Sequence, residues 1–130
     1  MREILFRATD LSGINTRSWI FGSLDTTENE YTIMIYPDRF GNKCRIFVDP
    51  KTVGQYTGLI DKNGKKIFEG DIVERFWLGK KHIYLIGYDN GIASFIGKDI
   101  CSENFTTFDY DACRFEIIGN IYDNPELLEV

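Results

Sequence analysis

Gln55 to Val73 constrains the fold of this chain more than any other stretch. It reads Gln-Tyr-Thr-Gly-Leu-Ile-Asp-Lys-Asn-Gly-Lys-Lys-Ile-Phe-Glu-Gly-Asp-Ile-Val. Apolar runs at Tyr56–Ile60 and Ile67–Phe68 flank Asp61-Lys62-Asn63-Gly64, a strong short-range signal for a β-hairpin. Glu69-Gly70-Asp71 then turns the chain into a new strand from Ile72. Two registers fit the hairpin. A type I′ turn would centre on Asn63-Gly64 and set Asp61 opposite Lys66. A type I turn with a G1 bulge would start at Asp61 and put Gly64 in the left-handed region. The second suits Asp at the first position and spares Lys62 a positive φ. Both require Gly64 to take positive φ, where a Cβ is costly.

The rest of the chain reads as short strands and turns. Residues 3–8 alternate, with Ile4, Phe6 and Ala8 on one side. Asp10 to Gly13 has turn chemistry, Ile14 to Leu24 predicts a second strand, and 25–30 a polar connection. Tyr31 to Tyr36 predicts a third strand, with Tyr31, Ile33 and Ile35 pointing one way and Pro37 ending it. Cys44–Val48 gives a fourth, and Asp49-Pro50 closes an N-terminal subdomain over residues 1–50.

Residues 51–130 form the second subdomain. No long flexible linker separates the two, so they are expected to pack together. Ile72–Leu78 and His82–Tyr88 predict strands joined through Gly79-Lys80-Lys81, and Asp89-Asn90-Gly91 a hairpin leading into Ile92–Ile96. Gly97 to Asp111 reads as a long connection with a short strand or helical turn. Arg114–Tyr122 returns as a strand with Phe115 and Ile117 on one face. Asn124-Pro125-Glu126 then offers an N-cap, an N1 proline and an acidic first turn for one turn of helix. Short strands joined by tight turns fit a small barrel or roll.

A hydrophobic content of 43%, with 15% aromatic residues, is enough to build a core in 130 residues. A net charge of −5 argues against general binding to nucleic acid, which depends on neutralising phosphates. Cys44, Cys101 and Cys113 form no Cys-x-x-Cys pair, and an odd, scattered set suits a reducing cytoplasm. No secretory leader and no apolar run of membrane-spanning length is visible, so no membrane contact is expected.

The chemistry-bearing residues are sparse. His82 is the single histidine, and a general base needs an orienting carboxylate or a nucleophile that the sequence does not identify. Its expected place is an exposed strand end beside Lys80 and Lys81. Cys44, His82, Cys101 and Cys113 lack the paired spacing of a structural zinc site. Asp109 and Asp111, near Glu103, read as a solvated acidic loop rather than a cation site. The glycines match no phosphate-binding loop and are accounted for by turns. No catalytic residue, metal ligand or cofactor is implied.

Three segments carry a resemblance. Arg2-Glu3-Ile4-Leu5-Phe6-Arg7-Ala8-Thr9-Asp10 opens the chain. Phe115-Glu116-Ile117-Ile118-Gly119-Asn120-Ile121-Tyr122-Asp123-Asn124-Pro125-Glu126-Leu127-Leu128 closes it. With the central block, their order and spacing resemble the YopX-like family of bacteriophage and prophage proteins. Residues 12–50 and 75–112 carry little of the likeness. Thr9 stands where an aromatic residue is usual, and Lys66 where an acidic one is. The resemblance implies a small, mostly β protein with an SH3-like barrel in its second half, and it brings no established catalytic residues.

The chain is therefore expected to be mainly β, with a small N-terminal β subdomain packed on an SH3-like barrel or roll and a short helical turn at the end. The expected function is that of a non-enzymatic phage or prophage accessory protein in the host cytoplasm, acting through contacts with another protein or with itself. The alternative is a nucleic-acid-binding module using lysine-rich turns. Gln55, Tyr56, Thr57, Lys62, Lys65 and Lys66 are the candidate interaction surface.

Overall fold

The structure, a computed structural model, describes residues 2–11, 18–25, 32–102, 104–107 and 113–129. The chain is mainly β and divides into two compact units, Met1–Tyr56 and Thr57–Val130. Among the described residues there is no α-helix. Tyr31, Glu103, Asp109, Asp111 and the expected turn at residues 12–13 lie outside the described residues.

The first unit holds β1 (Phe6–Thr9), β2 (Trp19–Asp25), β3 (Ile33–Pro37) and β4 (Lys43–Phe47), then a 3-10 turn at Pro50–Thr52. All its strand pairs are antiparallel, and β5 (Gly54–Ile60) enters by pairing Gln55 with Phe6. Ala8, Met34 and Val48 are fully buried, with Phe6, Ile20, Leu24, Ile46 and Val53 packed on them. The 3-10 turn is tied in by Thr52, whose Oγ1 accepts the Thr9 N–H at 2.9 Å and donates to the Asp49 carbonyl at 2.8 Å. Gly22 lies so close to β3 that a Cβ would strike the Ile35 carbonyl oxygen.

The second unit continues β5, adds β6 (Lys66–Phe68), and then builds a sheet from β7 (Asp71–Trp77), β8 (Lys80–Asp89), β9 (Ser94–Asp99), β10 (Phe105–Thr107) and β11 (Glu116–Asn120). Its strand order is β10-β9-β8-β7-β11, while β5 and β6 end the other sheet, β4-β3-β2-β1-β5-β6. Ile67, Val73, Tyr84, Ile86 and Phe115 form the core, joined by Leu59, Phe95 and Ile117. Phe115 and Ile117 thus share the face that their alternation predicts. The sheet is open: β10 and β11 are its two edges, and no closed barrel is formed among the described residues.

The Asp61–Gly64 turn adopts the G1-bulge register. Gly64 has φ +81, whereas Asn63 and Lys62 do not take positive φ. The Gly64 N–H donates to the Asp61 carbonyl at 3.0 Å, and the Asp61 N–H to the Lys65 carbonyl at 2.8 Å. The Asp61 carboxylate, 2% exposed, is the hub. Oδ1 accepts the N–H groups of Asn63 and Lys65 at 2.9 Å each, and Oδ2 that of Ile117 at 3.1 Å. The Lys62 N–H adds a bond to the Phe115 carbonyl at 2.9 Å. One short turn therefore fastens the β5–β6 hairpin to β11.

Three local expectations are corrected. Leu78 belongs to a turn rather than to β7, and Lys80 and Lys81 begin β8. The strand after Asp89 starts at Ser94, because the Asp89 Oδ1 accepts N–H groups from Gly91 (2.7 Å) and Ile92 (3.3 Å) and holds them in the loop. Asn124 does not cap the final 3-10 turn, Pro125–Leu128. Its Oδ1 turns back to accept the Asn120 N–H at 3.3 Å.

Candidate functional site

The six residues expected to form an interaction surface divide between structural and exposed roles. Tyr56 is buried, and Gln55, half-buried, is paired with Phe6 in the sheet. The Thr57 hydroxyl donates to the Ile67 carbonyl at 2.8 Å. Lys62, Lys65 and Lys66 are exposed on or next to the β5–β6 turn, but Lys62 is held by Glu116, Nζ to Oε2 3.2 Å. One of the three cations, Lys62, is thus engaged in fastening the turn to β11.

A different hairpin, β7–β8, carries the unusual chemistry. Its turn is Leu78-Gly79, with φ +54 and +75 and Trp77 paired to Lys80, which is type I′ geometry. That turn favours Asn-Gly, and a leucine there costs about 1–2 kcal/mol because its Cβ crowds the following carbonyl. Leu78 is 90% exposed, Phe76 72% and Trp77 47%. The side chain that bears the backbone cost thus gains nothing from burial in the unit. Trp77 is braced from beneath by the Arg75 guanidinium, 5.1 Å from its ring, which also lies 4.8 Å from Phe115 and 5.9 Å from Tyr84. At that distance the guanidinium and the indole attract one another through the ring face.

Beside this tip, a hollow of ≈ 340 Å³ lies between the first residues of β8 and the β9–β10 turn. Lys80, Lys81 and His82 line one side, with Tyr84 below them. Ser102, Asn104, Phe105 and Thr106 line the other. The Lys81 Nζ is 3.5 Å from Glu74 Oε2, and Lys80 has no ion pair among the described residues. His82 is half-buried rather than exposed. Its Nδ1 lies 3.4 Å from Asp99 Oδ2, and its ring stacks over Tyr84 at 6.2 Å.

Asp99 is the orienting carboxylate that the sequence could not identify. It reaches His82 because β8 and β9 pair Tyr84 with Asp99, a register invisible in the linear chain. Its Oδ1 accepts the Cys101 N–H at 2.8 Å and the Ser102 N–H at 3.3 Å. The Cys101 N–H holds the carboxyl below its ordinary value, burial opposes that, and His82 and the Ser102 N–H add to the lowering. Among the described residues no group of three His, Cys, Asp or Glu side chains could hold a metal ion. Cys44, Cys101 and Cys113 are unbridged, and no described helix is long and apolar enough to cross a membrane.

On the first unit, Ile33, Arg45, Ile46 and Phe47 line a smaller hollow of ≈ 250 Å³. Its one charged side chain, Arg45, is paired with Asp25 at 2.9 Å. It therefore presents less chemistry than the β8 hollow.

The fold is shared with the crystal structure of protein EF1440 from Enterococcus faecalis, at a TM-score of 0.54 and 24% sequence identity over 99% of this chain and 100% of that one. A likeness at that identity concerns the fold alone. No curated protein matches the chain. The central and closing segments that carried the resemblance, and the opening one from Phe6 on, fall within the reach of the family model described as YopX protein, which matches residues 6–129, and the chain belongs to the YopX family.

Proposed function

We propose that this YopX-family protein is a non-catalytic accessory protein of phage or prophage origin, working in the bacterial cytoplasm by docking the β7–β8 tip into another protein. In this reading the second unit is an SH3-like roll left open, and its role is to hold the tip rigidly. The observation that carries the proposal is Leu78, 90% exposed and held at φ +54. Local strain kept on an exposed apolar residue is accounted for by what that residue touches in a complex. Phe76 and Trp77 enlarge the apolar surface, and Lys80 and Lys81 follow directly. The matching partner surface is an apolar cleft with an acidic rim. The simplest partner is a second copy, whose own net charge is −5.

The lysine-rich β5–β6 turn supports phosphate binding less well, because Lys62 is already paired with Glu116.

A photo-crosslinking residue placed at position 78, and separately at position 63 on the other tip, tests the docking in cells that carry the protein. Discrete adducts from position 78 and none from position 63 are expected. Their mass identifies the partner as this chain or another protein. No adduct at 78, or the same adducts from both tips, would overturn the proposal.

A further inference from the structure

We infer that Arg75 is a specificity-determining residue of the docking tip, and that it seats one carboxylate, from an Asp or Glu side chain of the partner protein. This rests on the docking reading above. It adds a defined polar contact and the face of the hairpin that makes it.

The strand register fixes that face. β7 and β8 pair Trp77 with Lys80, Arg75 with His82 and Val73 with Tyr84, so these six side chains lie on one side of the sheet. Glu74, Phe76 and Lys81 lie on the other.

Arg75 is a half-buried cation that the unit leaves without a counter-ion. It makes no ion pair and no hydrogen bond among the described residues. The carboxylates closest to it in the register are committed elsewhere. Glu74 and Glu116 stand opposite each other on the far face, where they hold Lys81 and Lys62. Asp99 shares the near face, but its Oδ1 accepts the Cys101 and Ser102 N–H groups and its Oδ2 faces His82.

The rings of Trp77, Phe115 and Tyr84 surround the guanidinium, and its Nε is enclosed with no acceptor. A methionine would pack against the same rings without burying an unsatisfied N–H, so packing alone does not account for the arginine. Only Nε is enclosed in this way, which leaves the two Nη groups open to solvent. They form one edge of the guanidinium fork, whose parallel N–H groups match the two oxygens of a carboxylate. Lys80, diagonal to Arg75 and without an ion pair among the described residues, adds a second positive charge. The exposed apolar side chains of Trp77 and Leu78 beside this edge match a protein surface. A net charge of −5 disfavours a phosphate polymer there.

The position-78 adduct, formed in cells at low expression, is compared between the parent, Arg75→Met and Lys98→Met chains. Arg75→Met should lower the adduct yield about tenfold while the melting temperature holds or rises. A merely structural arginine would not give that combination. Lys98→Met makes the same change of charge on the far face of β9 and should leave the yield unchanged. Full yield from folded Arg75→Met, or an equal loss from Lys98→Met, would overturn the inference and leave the docking reading standing. A loss of yield that comes with a lower melting temperature assigns Arg75 to folding and overturns it as well. No adduct from the parent, or an adduct with nucleic acid, overturns both.

Discussion

The two hairpin tips of the second unit solve the same problem in opposite ways. At Asp61–Gly64 every residue suits the turn: Asp accepts the backbone N–H groups, Gly takes φ +81, and the carboxylate reaches on to Ile117. At Leu78-Gly79 the first residue opposes the turn it occupies, and its side chain is left in solvent. The first tip is explained entirely by folding. The second is not, and that mismatch separates a structural turn from a presented one.

The comparison can be broken in several places. The largest effect should come from Asp61→Ala. It strands the N–H of Ile117 inside the unit and loosens two more at the tip, so denaturant unfolding should show a loss of about 3 kcal/mol or more. A loss below about 1 kcal/mol would mean that β11 is held by packing alone.

Acid offers a graded version of the same cut. Burial pushes the Asp61 carboxyl up, but the N–H groups of Ile117, Lys65 and Asn63, with the Lys65 charge, outweigh it and leave the pKa below 3.8. A carboxyl with a depressed folded pKa stabilises the protein above its unfolded value, and that stability is lost as pH falls through the folded one. The stability gap between the parent and Asp61→Asn should therefore be full at neutral pH and shrink on acidification below about 4. A gap that stays constant down to the acid transition would contradict this.

Gly64→Val comes next. Nothing lies within 4 Å of the added Cβ, so the cost is conformational, about 1–2 kcal/mol. A measured loss below about half a kcal/mol counts against the assignment of strain. Leu78→Asn should move the other way, raising stability by about 0.5–1 kcal/mol, since Asn tolerates the left-handed region. If it destabilises, Leu78 has a folding role and the contrast between the tips collapses. The smallest effect is expected at Ala93, φ +51 in the β8–β9 loop. Ala93→Gly relieves its strain but frees the unfolded chain, for a net gain of a few tenths of a kcal/mol.

The legible parts of this fold were those written in neighbouring residues. Asp61 and Gly64 state their turn within four positions, and the alternation of Phe115 and Ile117 states which face is buried. The β7–β8 turn was placed too late because an apolar residue at positive φ has no local signature; Leu78 reads as one more strand residue after Trp77. The Asp89-Asn90-Gly91 signal marked the right loop but not its length, which the Asp89 carboxylate and Ala93 determine together. The hollow was the least legible feature. Lys80, Lys81 and His82 were visible as a run, yet Asp99 and Asn104 join them only through strand pairing and the turn after β9.

The bond from Ile117 to Asp61 spans 56 residues, and that separation has a consequence for biosynthesis. Emerging from the ribosome at about 5–20 residues per second, the β5–β6 hairpin waits several seconds for its fastening strand. Until β11 arrives, Asp61 has no Ile117 N–H to accept and the sheet lacks Phe115 as a core residue. Completion of this unit is therefore governed by its last strand, and a nascent chain stalled after β10 would present an unfinished core to the cell's chaperones.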